Sequence, residues 1–260
     1  MIRHALASLF LVTLASCADK TPAPLPSELA PEDVRSGSEF LTAETKALQD
    51  DDFANPGYLW VDQGGDLFRE TSSDAPSCAS CHDDGLKGAA ATYPKIDADS
   101  GELINLEGQI NLCRTRHQGL EPLDYESDAL LSLTAFVAEQ SKGVPLSVDI
   151  TGDAAPHYEN GKAYFFRKRG QFNFSCAQCH NDHWGRKLRG DTISQGHLTG
   201  FPGYRMEWES FGSSHRRLRD CDMGVRAEPL PFGDQTYIDV ELYLAHRASG
   251  LALESPGVRR

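Results

Sequence analysis

Methionine is scarce in this 260-residue chain, which holds only Met1, Met206 and Met223. Basic residues are also in short supply: 25 Lys and Arg face 38 Asp and Glu, and a net charge of −13 argues against a broad nucleic-acid-binding surface. No apolar run beyond Leu14 is long enough to cross a bilayer, so a multi-span membrane protein is a poor reading. With 40% hydrophobic and 24% charged residues, the composition is not that of a disordered chain either. The length allows one large domain or two small ones, each able to bury a core. Cysteine is the informative residue type, because seven is a number that no complete set of internal disulfides explains.

Arg3 and His4 precede a short apolar run, Ala5 to Leu14, that suits a signal peptide better than a spanning helix. Leu14-Ala15-Ser16-Cys17 has the small-residue pattern of a bacterial lipoprotein box, so residues 1–16 are expected to be removed and Cys17 to carry lipid. Ordinary cleavage nearby is the alternative, and both place the protein outside the cytoplasm. Pro22 to Asp33 is rich in Pro and acidic residues, and 17–37 is expected to be a flexible tether.

Four more cysteines fall in Cys78-Ala79-Ser80-Cys81-His82 and Cys176-Ala177-Gln178-Cys179-His180. Both are CxxCH, in which two thiols form thioethers to haem vinyl groups and the following His ligates iron. Two covalently bound haem c groups are expected, with His82 and His180 as proximal ligands. A zinc site would need the four sulfurs to converge, yet the motifs lie 98 residues apart and each brings its own His.

Other landmarks repeat at nearly the same offset. Phe68-Arg69 and Phe166-Arg167 precede their motifs by the same distance; Tyr93-Pro94 and Phe201-Pro202 are offset by 108, as are Cys113 and Cys221; Glu121-Pro122-Leu123 and Glu228-Pro229-Leu230 are offset by 107. Each half ends in a helical pattern: Ser127 caps a run with Leu130, Leu133, Phe136 and Val137 inward and Gly143 as stop, and the last run carries Tyr237, Val240 and Leu244 before Gly250. A helix is expected over Ser38 to Asp50 and a linker over Val144 to Pro156. The expected fold is all-α: two tandem class I cytochrome c-like domains related by internal duplication, spanning 38–146 and 147–260.

No Met follows the first CxxCH within its own unit, so the sixth iron ligand there must be something else. Cys113, His117 and His157 are candidates in the first unit; Cys221, Met206, Met223, His183, His197 and His215 are candidates in the second. Only Cys113 and Cys221 occupy matching positions, which favours distal thiolates at both irons, with a disulfide between them as the competing use. Thiolate ligation would lower the iron potential and leave no open coordination position. The halves differ most around the distal Cys, where the second has Arg216, Arg217 and Arg219. From Asn160 to Arg226 there are 12 Lys and Arg against 6 Asp and Glu, which implies a positive pocket beside Cys221. Guanidinium groups hold oxyanions through paired charged hydrogen bonds and also stabilise a thiolate. Arg217 aligns with Gln109 of the first half and is the foremost candidate; haem propionates are the competing partners for these arginines.

These residues resemble the dihaem SoxA family, a subunit of the thiosulfate-oxidising cytochrome complex also called L-cysteine S-thiosulfotransferase. The likeness rests on Leu48-Gln49-Asp50-Asp51-Asp52-Phe53-Ala54-Asn55-Pro56-Gly57, both CxxCH motifs, the Cys113 region, and Arg217 with Cys221. It implies a periplasmic enzyme partnered by the monohaem cytochrome SoxX, which conjugates thiosulfate to a cysteine of the SoxYZ carrier. It also implies that Cys221, as a persulfide in the family's pattern, forms the transient conjugate while Arg217 positions the sulfonate. A lipid box is not a general feature of that family. Thiosulfate dehydrogenation to tetrathionate is the enzyme alternative, and a non-catalytic dihaem electron carrier is the alternative from another class.

Overall fold

Two helix pairs carry most of the packing, and a glycine lets each pair close. A computed structural model describes residues 28–71, 75–82 and 85–260. The expected leader and Cys17 lie outside the described residues. Helix α1 (Ala43–Asp50) is followed by α2 (Tyr58–Arg69), whose Val61, Gly64, Gly65 and Phe68 form one buried stripe at helical spacing. That stripe packs on α4 (Asp128–Glu139), where the Ser127 hydroxyl caps the helix by accepting from the Leu130 N–H at 3.3 Å. A Cβ on Gly64 would overlap the Ser132 carbonyl of α4, so the two backbones approach closer than any larger residue allows. In the second half α5 (Ala155–Phe166) meets α8 (Gln235–Arg247) in the same way, with Gly161 against the Asp239 carbonyl. Leu130, Leu131 and Leu133 of α4 and Tyr237, Val240, Leu242 and Tyr243 of α8 are buried. Each aliphatic side chain so buried contributes about 1.5–3 kcal/mol.

Along the chain, α3 (Leu106–Cys113) falls between the members of the first pair, and the one-turn α6 (Cys176–His180) and α7 (Ser214–Gly224) fall between those of the second. The chain is mostly helical, and three small sheets modify the all-α expectation. Strands β1 (Lys95–Ile96) and β2 (Leu103–Ile104) pair antiparallel, as do β3 (Lys187–Leu188) and β4 (Asp191–Thr192). Strands β5 (Gly203–Arg205), β6 (Ser210–Gly212) and β7 (Gly257–Arg259) form a sheet ordered β6-β5-β7, with Gly203 opposite Gly212 on one side and parallel to Gly257 on the other. Runs of two or three residues carry no alternation long enough to reveal a strand.

The segment Leu48 to Gly57 latches the C-terminus. Asn55 Nδ2 donates to the Pro256 carbonyl at 2.9 Å, and Gln49 Oε1 accepts from the Val258 N–H at 3.1 Å. The described part of the expected tether, 28–37, is docked rather than free. The Arg35 N–H donates to Gln195 Oε1 at 2.8 Å, and Gln195 Nε2 donates back to the Asp33 carbonyl at 2.7 Å. The expected helix over Ser38 to Asp50 is split by an extended residue, Leu41, into a 3-10 turn, Gly37–Phe40, and α1. The expected linker is shorter than its Pro content suggests, because Pro156 sits in the first turn of α5, where its missing N–H costs nothing.

At the junction of the halves, a cavity of about 90 Å³ is lined by Tyr93, Asn105, Glu107, Ser214 and Glu241 among others. Asn105 Nδ2 donates to Glu241 Oε2 at 3.0 Å, and the Ser214 hydroxyl donates to Glu241 Oε1. The Gly233 N–H donates to His215 Nδ1 at 3.1 Å, which leaves the ring proton on Nε2, 3.6 Å from Glu241. Burial pushes the Glu107 carboxyl up to about 8, and the charge of Glu241 adds to the shift.

Two outcomes follow for stability. Gly161→Ala would raise stability if helix propensity ruled; overlap with the Asp239 carbonyl instead predicts a loss of about 1–3 kcal/mol, read as a lower Tm of the holoprotein. An unchanged or raised Tm would contradict the close crossing. Glu107 keeps its proton in the folded state up to about 8, whereas the ordinary carboxyl of the unfolded chain releases it near 4.5. Its contribution is therefore complete below the lower value and is lost as pH rises through the upper one. Glu107→Gln should flatten the fall in Tm across that window, and a profile parallel to wild type would refute the shift.

Candidate active site

The second CxxCH begins a helix because Ser175 and Gln178 cap it reciprocally. The Ser175 hydroxyl accepts from the Gln178 N–H at 3.3 Å, and Gln178 Oε1 accepts from the Ser175 N–H at 3.0 Å. Cys176 and Cys179 thus fall one turn apart, with His180 following in the last position of α6. His180 Nδ1 lies 2.7 Å from the Ser194 carbonyl. A carbonyl can only accept, so Nδ1 carries the proton and Nε2 keeps its lone pair. Burial lowers the His180 pKa to about 4, keeping the ring neutral as a metal ligand requires. Burial is also the main cause that pushes the Cys176 and Cys179 thiols up, with the nearby Cys221 adding to both. Two thiols at this spacing, an oriented neutral imidazole and a facing thiol from another helix fit a covalently held haem c.

The facing thiol comes from α7, capped by the Ser213 hydroxyl, which accepts from the Arg216 N–H at 3.2 Å. Arg217 precedes Cys221 by four residues and therefore shares its face of the helix. The three arginines that look equivalent in the sequence divide sharply. Arg216 lies over the Trp208 ring at 4.5 Å and donates to the Ser210 hydroxyl at 3.0 Å. Arg219 lies over the Phe232 ring at 4.5 Å and donates to the Leu230 carbonyl. Arg217 is half-buried, and among the described residues its guanidinium makes no hydrogen bond or ion pair. Its charge reaches His180, where it adds to the effect of burial, and it also acts on Arg205 and Glu207.

The first CxxCH is arranged in the same sense with weaker tools. Ser77 caps a 3-10 turn, Cys78–Ser80, and His82 packs against the Phe68 ring with centroids 6.4 Å apart. Cys113 is the last residue of α3, and Gln109 Nε2 donates to its sulfur at 3.4 Å. The Tyr93 hydroxyl in turn donates to Gln109 Oε1 at 3.1 Å. Gln118 Nε2 reaches the Cys78 sulfur at 3.7 Å, and Cys113 lies near enough to raise the Cys78 thiol further beyond the effect of burial. A neutral amide thus stands beside Cys113 where Arg217 stands beside Cys221.

The six described cysteines are all free, so the disulfide between Cys113 and Cys221 is not what the fold builds. The other candidate ligands are engaged or exposed. His117 and His183 face solvent, and Met206 and Met223 are exposed. His157 Nδ1 pairs with Asp239 at 2.7 Å, and His197 Nδ1 donates to the Arg35 carbonyl at 2.9 Å. His215 belongs to the junction cluster. Sequence reasoning missed Ser194, which acts through its backbone and leaves no side-chain signal. It also missed Asp222 with Tyr164, Tyr237 and Arg169, because a buried carboxylate reads in sequence like any surface one.

Comparison with known proteins gives the family. A family model described as SoxA/TsdA, cytochrome c domain, matches residues 63–146. An L-cysteine S-thiosulfotransferase subunit SoxA from Pseudaminobacter salicylatoxidans is 41% identical over 231 residues, 86% of this chain and 80% of that one. Its namesake from Rhodovulum sulfidophilum is 37% identical, covering 92% of this chain and 85% of the relative. The crystal structure of SoxXA from P. pantotrophus superposes with a TM-score of 0.83 at 36% identity, covering 87% of each chain. At these levels of identity and coverage, the chain belongs to the SoxA family.

Proposed function

We propose that this chain is the L-cysteine S-thiosulfotransferase subunit that joins thiosulfate to a cysteine thiol of a SoxYZ-type carrier. The observation that carries the reading is the placement of Arg217 and Cys221 on one face of α7, opposite the CxxCH helix, with Arg216 and Arg219 tied elsewhere. His180 and Cys221 would hold the iron of a haem attached to Cys176 and Cys179; His82 and Cys113 would do so for a haem attached to Cys78 and Cys81. Each bound haem accepts and passes on one electron at a time. The two haem-binding units, 38–146 and 147–260, are duplicates, supported by the matching helix crossings at Gly64 and Gly161.

Arg217 holds the sulfonate of thiosulfate through charged hydrogen bonds. The Cys221 thiolate bonds to the terminal sulfur of thiosulfate, a two-electron oxidation for which bound haems and the cytochrome partner would be the one-electron acceptors. The carrier thiolate then attacks the same sulfur, taking the thiosulfonate group and returning Cys221 as thiolate. The second step is thiol exchange and needs no further oxidant.

A SoxX-type monohaem cytochrome is the partner that receives electrons, a role supported by the superposition on SoxXA. The location is periplasmic, with a lipid on Cys17 as anchor. Among the described residues no helix is long and apolar enough to cross a membrane.

Arg217→Ala is expected to lower kcat/KM for thiosulfate by about 10²-fold or more at normal haem content, as loss of a charged hydrogen bond to substrate would. Conjugation is measured as thiosulfonate-bearing carrier by mass. Unchanged conjugation would remove the anion site from α7, and tetrathionate formed without carrier would move the chain to thiosulfate dehydrogenation.

A further inference from the structure

The residue directly after Cys221 is Asp222, a carboxylate with 0% exposure that the reaction above does not use. Three donors converge on it. The Tyr164 hydroxyl of α5 donates to Oδ2 at 2.8 Å, the Tyr237 hydroxyl of α8 donates to the same oxygen at 2.7 Å, and Arg169 Nε donates to Oδ1 at 2.6 Å. The Arg169 guanidinium lies 4.1 Å from the Tyr164 ring centroid, and its Nη2 reaches the Cys176 sulfur at 3.4 Å. One carboxylate therefore ties α5, α8 and the first residue of the CxxCH helix to the last turn of α7. A buried charge is tolerated only when so paired, and removing one partner is costly, which makes the arrangement stiff.

The first half has no equivalent. At the corresponding offsets, Asp222 is replaced by Arg114, Tyr237 by Leu130, Tyr164 by Asp66 and Arg169 by Thr71. There α3 ends at Cys113, and the chain widens into a π-turn over Arg114–Gln118. Arg114 Nε donates outward to the Glu121 carbonyl at 3.2 Å. The clamp thus accompanies only the cysteine that stands beside Arg217. That cysteine is the one proposed above to bond to thiosulfate and then to be returned as thiolate.

We propose that Asp222 is a positioning residue: with Tyr164, Tyr237 and Arg169 it fixes the last turn of α7 so that the Cys221 sulfur is presented in one position to a haem held on Cys176 and Cys179, before conjugation and after each conjugate is discharged. The proposal rests on the ligand role given above to Cys221. Asp222 acts through the backbone of its neighbour and through Arg169.

The test uses the full holoprotein. Asp222→Asn keeps the shape but offers a single acceptor oxygen, and Tyr237→Phe removes one hydroxyl while keeping the ring. At normal haem content, electron paramagnetic resonance of the ferric protein should show the thiolate signal of the second haem divided into several species, with the first haem unchanged. The fraction of ferrous protein that binds carbon monoxide should rise about 10- to 100-fold in Asp222→Asn and less in Tyr237→Phe, the range typical of disturbed outer partners of a metal ligand. Turnover should lose kcat at unchanged KM for thiosulfate. A lowered Tm with one unaltered thiolate signal and no gain in carbon monoxide binding would overturn the clamp. If Asp222→Asn does not fold, Tyr237→Phe decides alone. Cys221→Ala separates the two levels: if it leaves the wild-type spectrum unchanged, the ligand assignment itself fails.

Discussion

The hydrogen bond from His180 Nδ1 to the Ser194 carbonyl is the contact on which the site depends. It settles which ring nitrogen keeps a lone pair, and burial keeps that ring uncharged. The capped turn of α6 sets the two thiols one turn apart, and α7 brings Cys221 near enough to act on both. If the imidazole turned over, the thiols and Cys221 would still be present but would face a protonated nitrogen.

Charge then separates the two halves. Beside Cys113 stands Gln109, a neutral amide held by Tyr93; beside Cys221 stands Arg217, whose guanidinium makes no ion pair among the described residues, although its charge is felt by Glu207. A chain with a net charge of −13 keeps this local positive charge by placing its anionic partners elsewhere: Asp97 holds Arg116, and Glu254 holds Arg259. Arg216 and Arg219 are absorbed by Trp208, Ser210, Phe232 and the Leu230 carbonyl. The result, among the described residues, is an arginine without an ion pair on the face of α7 that bears Cys221, where the corresponding position of the first half holds Gln109.

Long, capped and strongly apolar helices were legible. Ser127 caps α4 where the pattern placed it, and Leu130, Leu133, Val137, Tyr237, Val240 and Leu244 are buried as the periodicity implied. The covalent motifs were legible too, since their spacing is itself the chemistry. The tether resisted reading because Asp33 and Arg35 are held at Gln195 through backbone groups, which composition does not encode. The strands β5, β6 and β7 resisted because each is only three residues long and draws its order from the returning C-terminus.

By itself, then, the sequence determined the two CxxCH motifs, the matched positions of Cys113 and Cys221, and the helices that close each half. These depend on spacing along the chain, and spacing is local. Only the tertiary structure decided which of three neighbouring arginines stays free, which histidines are spent on carbonyls and carboxylates, and that Asp222 anchors the turn bearing Cys221. Those outcomes depend on which groups meet from distant segments such as α5 and α8. A guanidinium or carboxylate acquires its role from the partners that folding brings to it.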